Sequence, residues 1–293
     1  MRITTVLVQG NGILNEDALI RNEAIQLYGV IDGATSLVPY KNANGETGGY
    51  LAAHLIATCL NELKEQDRTG GAEGLVDRLA EVNLLLRTRM IEAGIRPEQK
   101  EELWSACAAV VQIQPEWIEF AQAGDCMIAV FYTDGRIRVI THDQLAHVDD
   151  RTKEVWSQGI ASGLSSKAEL WEYVKPQIIR GRALANAPGG YAVLNGESKF
   201  ADYAEYGRIS RTNVQALLLF SDGLYIPKPA GVSDKDGASE VAALVQEKGL
   251  SSYIEWLAAL EMSDPDCRQF PRMKTSDDKS AIWIDLPLVT SHD

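Results

Sequence analysis

The chain has 293 residues, with 28 lysines and arginines against 41 aspartates and glutamates, and a formal net charge of −13. This acidic balance argues against a nucleic-acid or anionic-membrane partner and favours a metal ion or a cationic protein region, although many cytoplasmic proteins are acidic for solubility alone. The four cysteines show no Cys-x-x-Cys spacing and are expected to be buried thiols. No stretch approaches the ~20 apolar residues that cross a bilayer, so the sequence predicts a cytoplasmic protein.

The first third of the chain predicts three strands followed by two helices. The strand-like runs cover residues 3–8, 18–20 and 25–31. Each helix is indicated by one apolar stripe at helical spacing, and the break at residues 67–71 separates the two. The first stripe is Leu51, Leu55, Cys59 and Leu63, and the second is Leu75, Leu79, Val82, Leu86 and Met90.

The remaining elements complete a single α+β domain over residues 1–293. Strand patterns at 105–113, 117–123, 126–132 and 136–140 are joined by short turns and predict an antiparallel meander. Residues 142–184, with a helix at about 145–156, are interpreted as a flap insertion over a site, with an ordinary surface excursion as the alternative. Further strands at 191–194, 214–220 and 280–284 and helices at 239–247 and 251–260 follow.

Two Asp-Gly pairs that end apolar runs, Asp32-Gly33 and Asp222-Gly223, are the most informative feature. Asp-Gly is also a strong hairpin signal, and Asp134-Gly135, which lies between two strand-like runs, is predicted to be such a turn. The other two pairs have no returning strand close behind them. Asp277 immediately precedes the last strand, so carboxylates from distant parts of the chain are expected to meet at strand ends, as a divalent-metal site requires.

All the ligands offered at these strand ends are hard oxygens, which suit Mg²⁺ or Mn²⁺ better than Zn²⁺. Two carboxylates ~4 Å apart repel by ~4 kcal/mol at an effective dielectric near 20, so a converging group needs cations. Two ions ~3.5–4 Å apart could activate a bridging water and clamp a phosphoryl group. Without a side chain at Gly33, its carbonyl can approach a metal closely. The candidate acids are Glu16, Asp17, Asp32, Asp222 and Asp277.

Five motifs in order, at residues 15–18, 30–33, 121–126, 218–224 and 277–282, resemble the PP2C-type metal-dependent protein phosphatases over nearly the whole chain. The resemblance implies a four-layer sandwich of two antiparallel β-sheets flanked by α-helices. It also implies two Mn²⁺ or Mg²⁺ ions, hydrolysis of phosphoserine or phosphothreonine by a metal-activated water, and a phosphoprotein substrate with a partner kinase.

The same resemblance implies roles for individual residues. Asp32 matches the bridging metal ligand, Gly33 the carbonyl ligand, and Asp222 and Asp277 the remaining ligands of the first ion, so that Asp32 and Asp222 would act in catalysis through the metals. The pair Glu16-Asp17 matches the acidic motif that holds the second ion, directly or through water. Asp125 is expected to be structural, and Asp143 matches a flap-associated aspartate that could bind a third ion.

The chain departs from the family pattern at the phosphate-binding position. Members acting on phosphoserine or phosphothreonine usually carry an arginine just before the Asn15-Glu16-Asp17 motif, and residues 10–14 contain no basic side chain. An arginine from the loosely basic region after the flap is a candidate to replace the missing one. Residues 34–36 also lack the family's histidine, and Ile226 stands where an acid is frequent. The candidate arginines are Arg180, Arg182, Arg208 and Arg211.

Two other functions are considered. A haloacid-dehalogenase-type phosphatase is disfavoured because its nucleophile position is occupied by Val30. A PP2C-like domain that binds metal or a phosphoprotein without hydrolysing it stays open as the alternative, since the missing arginine favours it and the retained acids oppose it.

Overall fold

The computed structural model describes residues 1–34, 36–68, 70–229, 231–232 and 236–287. The strands are β1 Arg2–Val8, β2 Asp17–Asn22, β3 Leu27–Ala34, β4 Ser105–Ile113, β5 Trp117–Ala123, β6 Met127–Tyr132, β7 Ile137–Val139, β8 Glu205–Ser210, β9 Val214–Phe220 and β10 Lys279–Asp285. The helices are α1 Gly48–Asn61, α2 Gly71–Glu92, α3 Ala146–Ala161, α4 Lys167–Arg182, α5 Phe200–Tyr203, α6 Gly237–Lys248 and α7 Leu250–Met262.

The strands form two five-stranded antiparallel sheets. One has the order β1-β10-β9-β6-β7 and the other the order β2-β3-β4-β5-β8. Because successive side chains of a strand point to opposite faces, Val30 packs between the sheets while Ile31 packs toward α1 and α2. Helices α6 and α7 cover the outer face of the first sheet. The predicted four-layer α+β sandwich is therefore confirmed.

The predicted meander is wrong. Strands β4 and β5 pair in one sheet and β6 and β7 in the other, so the Gly124-Asp125 turn carries the chain from sheet to sheet. Gly124 has a φ of +79°, which glycine adopts without strain. Beyond this turn, β5 pairs with β8 and β6 pairs with β9. Local turn chemistry does not reveal these partners, because they lie about 80 residues further along the chain.

Three local features also differ from the predicted elements. Residues 191–194 form isolated bridges instead of a strand, and β8 was not predicted. The proposed flap region contains two helices, α3 and α4, where one was expected. By contrast, the hairpin at Asp134-Gly135 is confirmed, with the Gly135 N–H donating to the Tyr132 carbonyl at 3.0 Å. Within the described ranges, no helix combines the length and apolar character needed to cross a bilayer.

Candidate metal centre

The predicted carboxylates come from both sheets and meet at one end of the sandwich. Asp17 and Asp32 are cross-strand partners in β2 and β3, which places their side chains on the same face of the sheet. Asp222 opens a single 3-10 turn directly after β9. Asp277 lies two residues before the start of β10, the neighbour of β9. The Asp222 and Asp277 charges both act on the Asp17 carboxyl, so the structure brings the four predicted acids together.

This proximity changes how the carboxyls titrate. Burial raises the pKa of Asp17 to about 7, and the charges of Asp222 and Asp277 act in the same direction. Hydrogen bonds from Ser280 and Ser221 act to lower this pKa. Burial and the Asp17 and Asp222 charges hold the pKa of Asp32 well above its usual range. The pKa of Asp222 is raised mainly by burial and then by Asp277. A bound cation would stabilise the ionised forms, so this all-oxygen donor set fits a hard divalent metal.

Asp125 also belongs to this group of acids, although the sequence suggested a structural role. Ligand atoms of Asp32, Asp125 and Cys126 all lie within 4.8 Å of one another. Oδ1 of Asp125 is buried and has no hydrogen-bond partner among the described residues. Burial keeps the pKa of the Cys126 thiol well above its usual value, so the neutral sulfur is a poor ligand and the carboxylates remain as donors. The position of Asp125 follows from the switch between sheets.

Hydrogen bonds hold the acidic loops in place. The carboxylate of Asp278 accepts the backbone N–H groups of Gly10 and Glu16, each at 2.7 Å. The Ser221 hydroxyl donates to Oδ2 of Asp17 at 2.8 Å. Asp278 therefore connects the start of β10 to the loop before β2. Sequence reasoning did not find this role, since neighbouring aspartates give no signal about which binds metal and which binds backbone.

Close backbone packing explains both site glycines. A Cβ at Gly33 would overlap the carbonyl oxygens of Gly49 and Glu16, and a Cβ at Gly223 would overlap the carbonyl oxygen of Asp278. The Gly33 N–H donates to the Glu16 carbonyl at 3.1 Å. Glycine therefore lets the loops carrying the acids approach one another closely.

The first turn of α3 and the residues just before it add further acids beside this group. Oδ1 of Asp143 accepts the N–H groups of Leu145 at 3.0 Å and Ala146 at 2.9 Å, and burial raises the pKa of its carboxyl. Burial, together with the Asp222 and Asp143 charges, raises the pKa of Asp149 to about 7 against the lowering effect of Lys153. Asp149 was not predicted, because a single acid in a polar helix resembles an ordinary surface residue.

The four candidate arginines are placed differently. Arg180 donates to the Gln177 side chain, Arg208 lies 4.9 Å over the Trp117 ring, and Arg211 donates to backbone carbonyls near residues 114 and 287. Arg182 donates to the Ser105 hydroxyl at 2.8 Å and its charge acts on Asp149. Of the four, Arg182 is therefore the one whose charge acts on an acid of this site.

Comparison with known families agrees with this geometry. The model of the family described as Protein phosphatase 2C matches residues 8–263. The chain therefore belongs to the protein phosphatase 2C family. No curated protein matches it in sequence.

Solved structures show the same fold. The serine/threonine phosphatase PstP/Ppp of Mycobacterium tuberculosis is 17% identical, with 97% of this chain and 98% of that chain covered and a TM-score of 0.59. The catalytic domain of the serine threonine protein phosphatase PstP, in complex with two manganese ions, is 18% identical, with 97% of each chain covered and a TM-score of 0.57. Serine/threonine phosphatase Stp1 from Staphylococcus aureus is 15% identical, with coverages of 97% and 94% and a TM-score of 0.55.

Proposed function

We propose that this protein hydrolyses phosphate monoesters, with phosphoserine or phosphothreonine in a protein as the substrate and two Mn²⁺ or Mg²⁺ ions as cofactors. The observation that carries the proposal is the convergence of Asp17, Asp32, Asp222 and Asp277 at one end of the sandwich in a protein phosphatase 2C family member. When its members are ionised, such a cluster is costly for folding unless cations bind to it.

The residues would divide between the ions as follows. Asp32 would contact both ions, while the Gly33 carbonyl, Asp222 and Asp277 would complete the first site. Asp17, with Glu16 beside it, would hold the second. When bound, the ions supply an activated water and a clamp for phosphoryl oxygens.

The protein's own contribution is to orient the ligands. The Ser221 hydroxyl holds Oδ2 of Asp17, so the orientation of this carboxylate is set before a metal arrives. Oδ1 of Asp277 accepts the Asp278 N–H at 2.9 Å and an ion pair from Lys274. Oδ2 of Asp277 is consequently the oxygen left for a metal ion. Asp125, with its unpaired buried Oδ1, provides a further acceptor beside Asp32.

Two comparisons support this proposal. The PstP catalytic domain that shares this fold was crystallised with two manganese ions. PstP/Ppp and Stp1 are serine/threonine phosphatases, which supports a phosphoprotein substrate. A partner kinase would then supply that substrate, because a phosphoester must be formed before it can be hydrolysed.

The alternative is a module that binds metal or a phosphoprotein without turnover. It is favoured by residues 10–14, which contain no basic side chain to hold a phosphate. Metal binding is compatible with both functions, and only the proposed one predicts hydrolysis.

The experiment compares p-nitrophenyl phosphate and phosphopeptide hydrolysis with Mn²⁺ and with EDTA. We expect Mn²⁺-dependent turnover that falls to the EDTA level in Asp222→Asn. The matched control is Asp134→Asn. It makes the same change in the Asp-Gly pair of an exposed hairpin, so this variant should retain full activity. Calorimetric Mn²⁺ binding without turnover would establish the binding module. A folded protein that neither binds Mn²⁺ nor hydrolyses either substrate would refute the proposed function and leave only a module that binds a phosphoprotein without metal.

A further inference from the structure

The acidic centre has a basic side chain that neither the family resemblance nor the sequence pattern identified. Lys274 forms an ion pair with Asp277, with Nζ 2.5 Å from Oδ1. Its positive charge also acts on Asp32 and Asp222. In the described part of the chain, no other ion pair is found to the four predicted ligand aspartates. Lys274 is therefore the cation best placed to meet an anion that binds at this centre.

The Lys274 side chain can reach an incoming ligand. It is 40% exposed, in contrast to the buried lysine at position 279. An ammonium has three N–H donors, and the one hydrogen bond found for Nζ within the described ranges goes to Asp277. Lys274 can thus keep its bond to Asp277 and donate to a second acceptor. A carboxylate that binds a metal through one oxygen commonly accepts a hydrogen bond on the other.

The backbone around Lys274 is held in place, so only the side chain has to adjust. The Thr275 hydroxyl donates to the Pro265 carbonyl at 2.7 Å. Lys167 on α4 donates to the same hydroxyl at 3.2 Å. The Ser276 N–H donates to the Asn11 side chain at 2.6 Å. These contacts fix the start of the lysine stem relative to both the flap helices and the loop before β2.

We propose that the Lys274 ammonium binds the substrate phosphate, in place of the arginine that residues 10–14 lack. This inference rests on the proposed function. A phosphate approaching the centre meets several carboxylates, so it needs positive charge from the protein in addition to the charge that bound metal ions would supply. A lysine serves as such a point charge, and its charge-assisted hydrogen bond is stronger than a neutral one. Arg182, held on Ser105, is the competing candidate.

The experiment measures phosphate and metal binding separately. Lys274→Met removes the charge and retains a flexible stem, and Lys274→Arg restores the charge. The matched control is Lys248→Met, which makes the same change at the end of α6, where the ammonium lies over the Trp256 ring. Arg182→Met tests the competitor. Each variant is titrated calorimetrically with Mn²⁺ alone and then, at saturating Mn²⁺, with inorganic phosphate, and KM and kcat are measured for a phosphopeptide.

We expect Lys274→Met to raise both KM and the phosphate dissociation constant roughly tenfold, since one hydrogen bond to a charged group is lost. Mn²⁺ should bind at least as tightly, because a competing positive charge has left Asp277. Lys274→Arg should recover most of the phosphate binding, and Lys248→Met should match the unsubstituted protein in every measurement.

Three results would overturn this role of Lys274. The first is a phosphate dissociation constant in Lys274→Met within twofold of that of the unsubstituted protein. The second is weaker Mn²⁺ binding in Lys274→Met with unchanged phosphate binding, and the third is a loss of phosphate binding in Arg182→Met alone. The second would mean that Lys274 orients Asp277 instead. Absence of Mn²⁺-dependent turnover in the unsubstituted protein would refute the proposed function, and the calorimetric phosphate titration would still test Lys274.

Discussion

The ion pair between Lys279 and Glu261 is the most deeply buried one described, and we expect its disruption to destabilise the fold strongly. The Lys279 and Glu261 side chains are 2% and 6% exposed, and Nζ lies 2.9 Å from Oε2. The same ammonium donates to the Ser276 hydroxyl at 2.8 Å and to the Asp277 carbonyl at 2.9 Å. It therefore joins the end of α7 to the loop that carries a predicted metal ligand.

The size of the effect follows from this burial. Lys279→Met retains the apolar stem but leaves the Glu261 carboxylate buried without a counter-charge, which costs roughly 3–5 kcal/mol. For a chain of this size about 2 °C of melting temperature corresponds to 1 kcal/mol, so we expect a decrease of roughly 6–10 °C. Replacing both partners by methionine removes the unpaired charge and should return the melting temperature to near the original value.

Urea denaturation and thermal unfolding in EDTA, both followed by circular dichroism, measure the changes in free energy and melting temperature without metal binding. The control is Lys100→Met, because the Lys100–Glu197 pair is 33% and 22% exposed and should contribute only about 1 kcal/mol. A single Lys279 variant as stable as this control would contradict the reasoning. A double variant as unstable as the single one would show that packing, and not the unpaired charge, causes the loss.

Two further predictions concern the metal centre. Burial raises the folded-state pKa of Asp17 and of Asp149 from 3.8 to about 7, so the folded protein binds these two protons more tightly than the unfolded chain. The resulting stabilisation of the metal-free fold is complete below about pH 4 and is lost as pH rises through 7. Scanning calorimetry from pH 5 to 8 should show a falling melting temperature in EDTA and a growing stabilisation by Mn²⁺, whereas a rising EDTA curve would contradict it. Gly223→Ala places a Cβ against the Asp278 carbonyl and should displace the loops that carry the metal ligands. Mn²⁺ binding should weaken by at least about tenfold, as is typical when groups that orient metal ligands are lost. Gly70→Ala, where a Cβ has open space, should bind Mn²⁺ normally, and equal affinities in the two variants would refute the packing argument.

The sequence by itself determined most of the regular elements and the predicted ligand set. Strand and helix periodicity depends on local alternation of apolar residues, and it located β4, β9, α2 and α7 closely. Comparison with the hairpin at Asp134-Gly135 indicated that Asp32-Gly33 and Asp222-Gly223 are not hairpin turns. In the structure, neither of these two pairs is followed directly by a strand that pairs back. These properties are local in the chain, so they can be read without knowing the partners of each segment.

Only the tertiary structure decided which strands pair and which polar groups support the acids. The turn at Gly124-Asp125 looks like a hairpin locally, yet it changes sheets and brings Asp125 beside Asp32. Asp278 acquires its contacts only when the end of the chain returns to the loop before β2. The pair between Lys274 and Asp277 is local, but only this return places its ammonium near Asp32 and Asp222. Pairing partners and the burial of charges depend on contacts between residues far apart in the chain, and no local pattern encodes them.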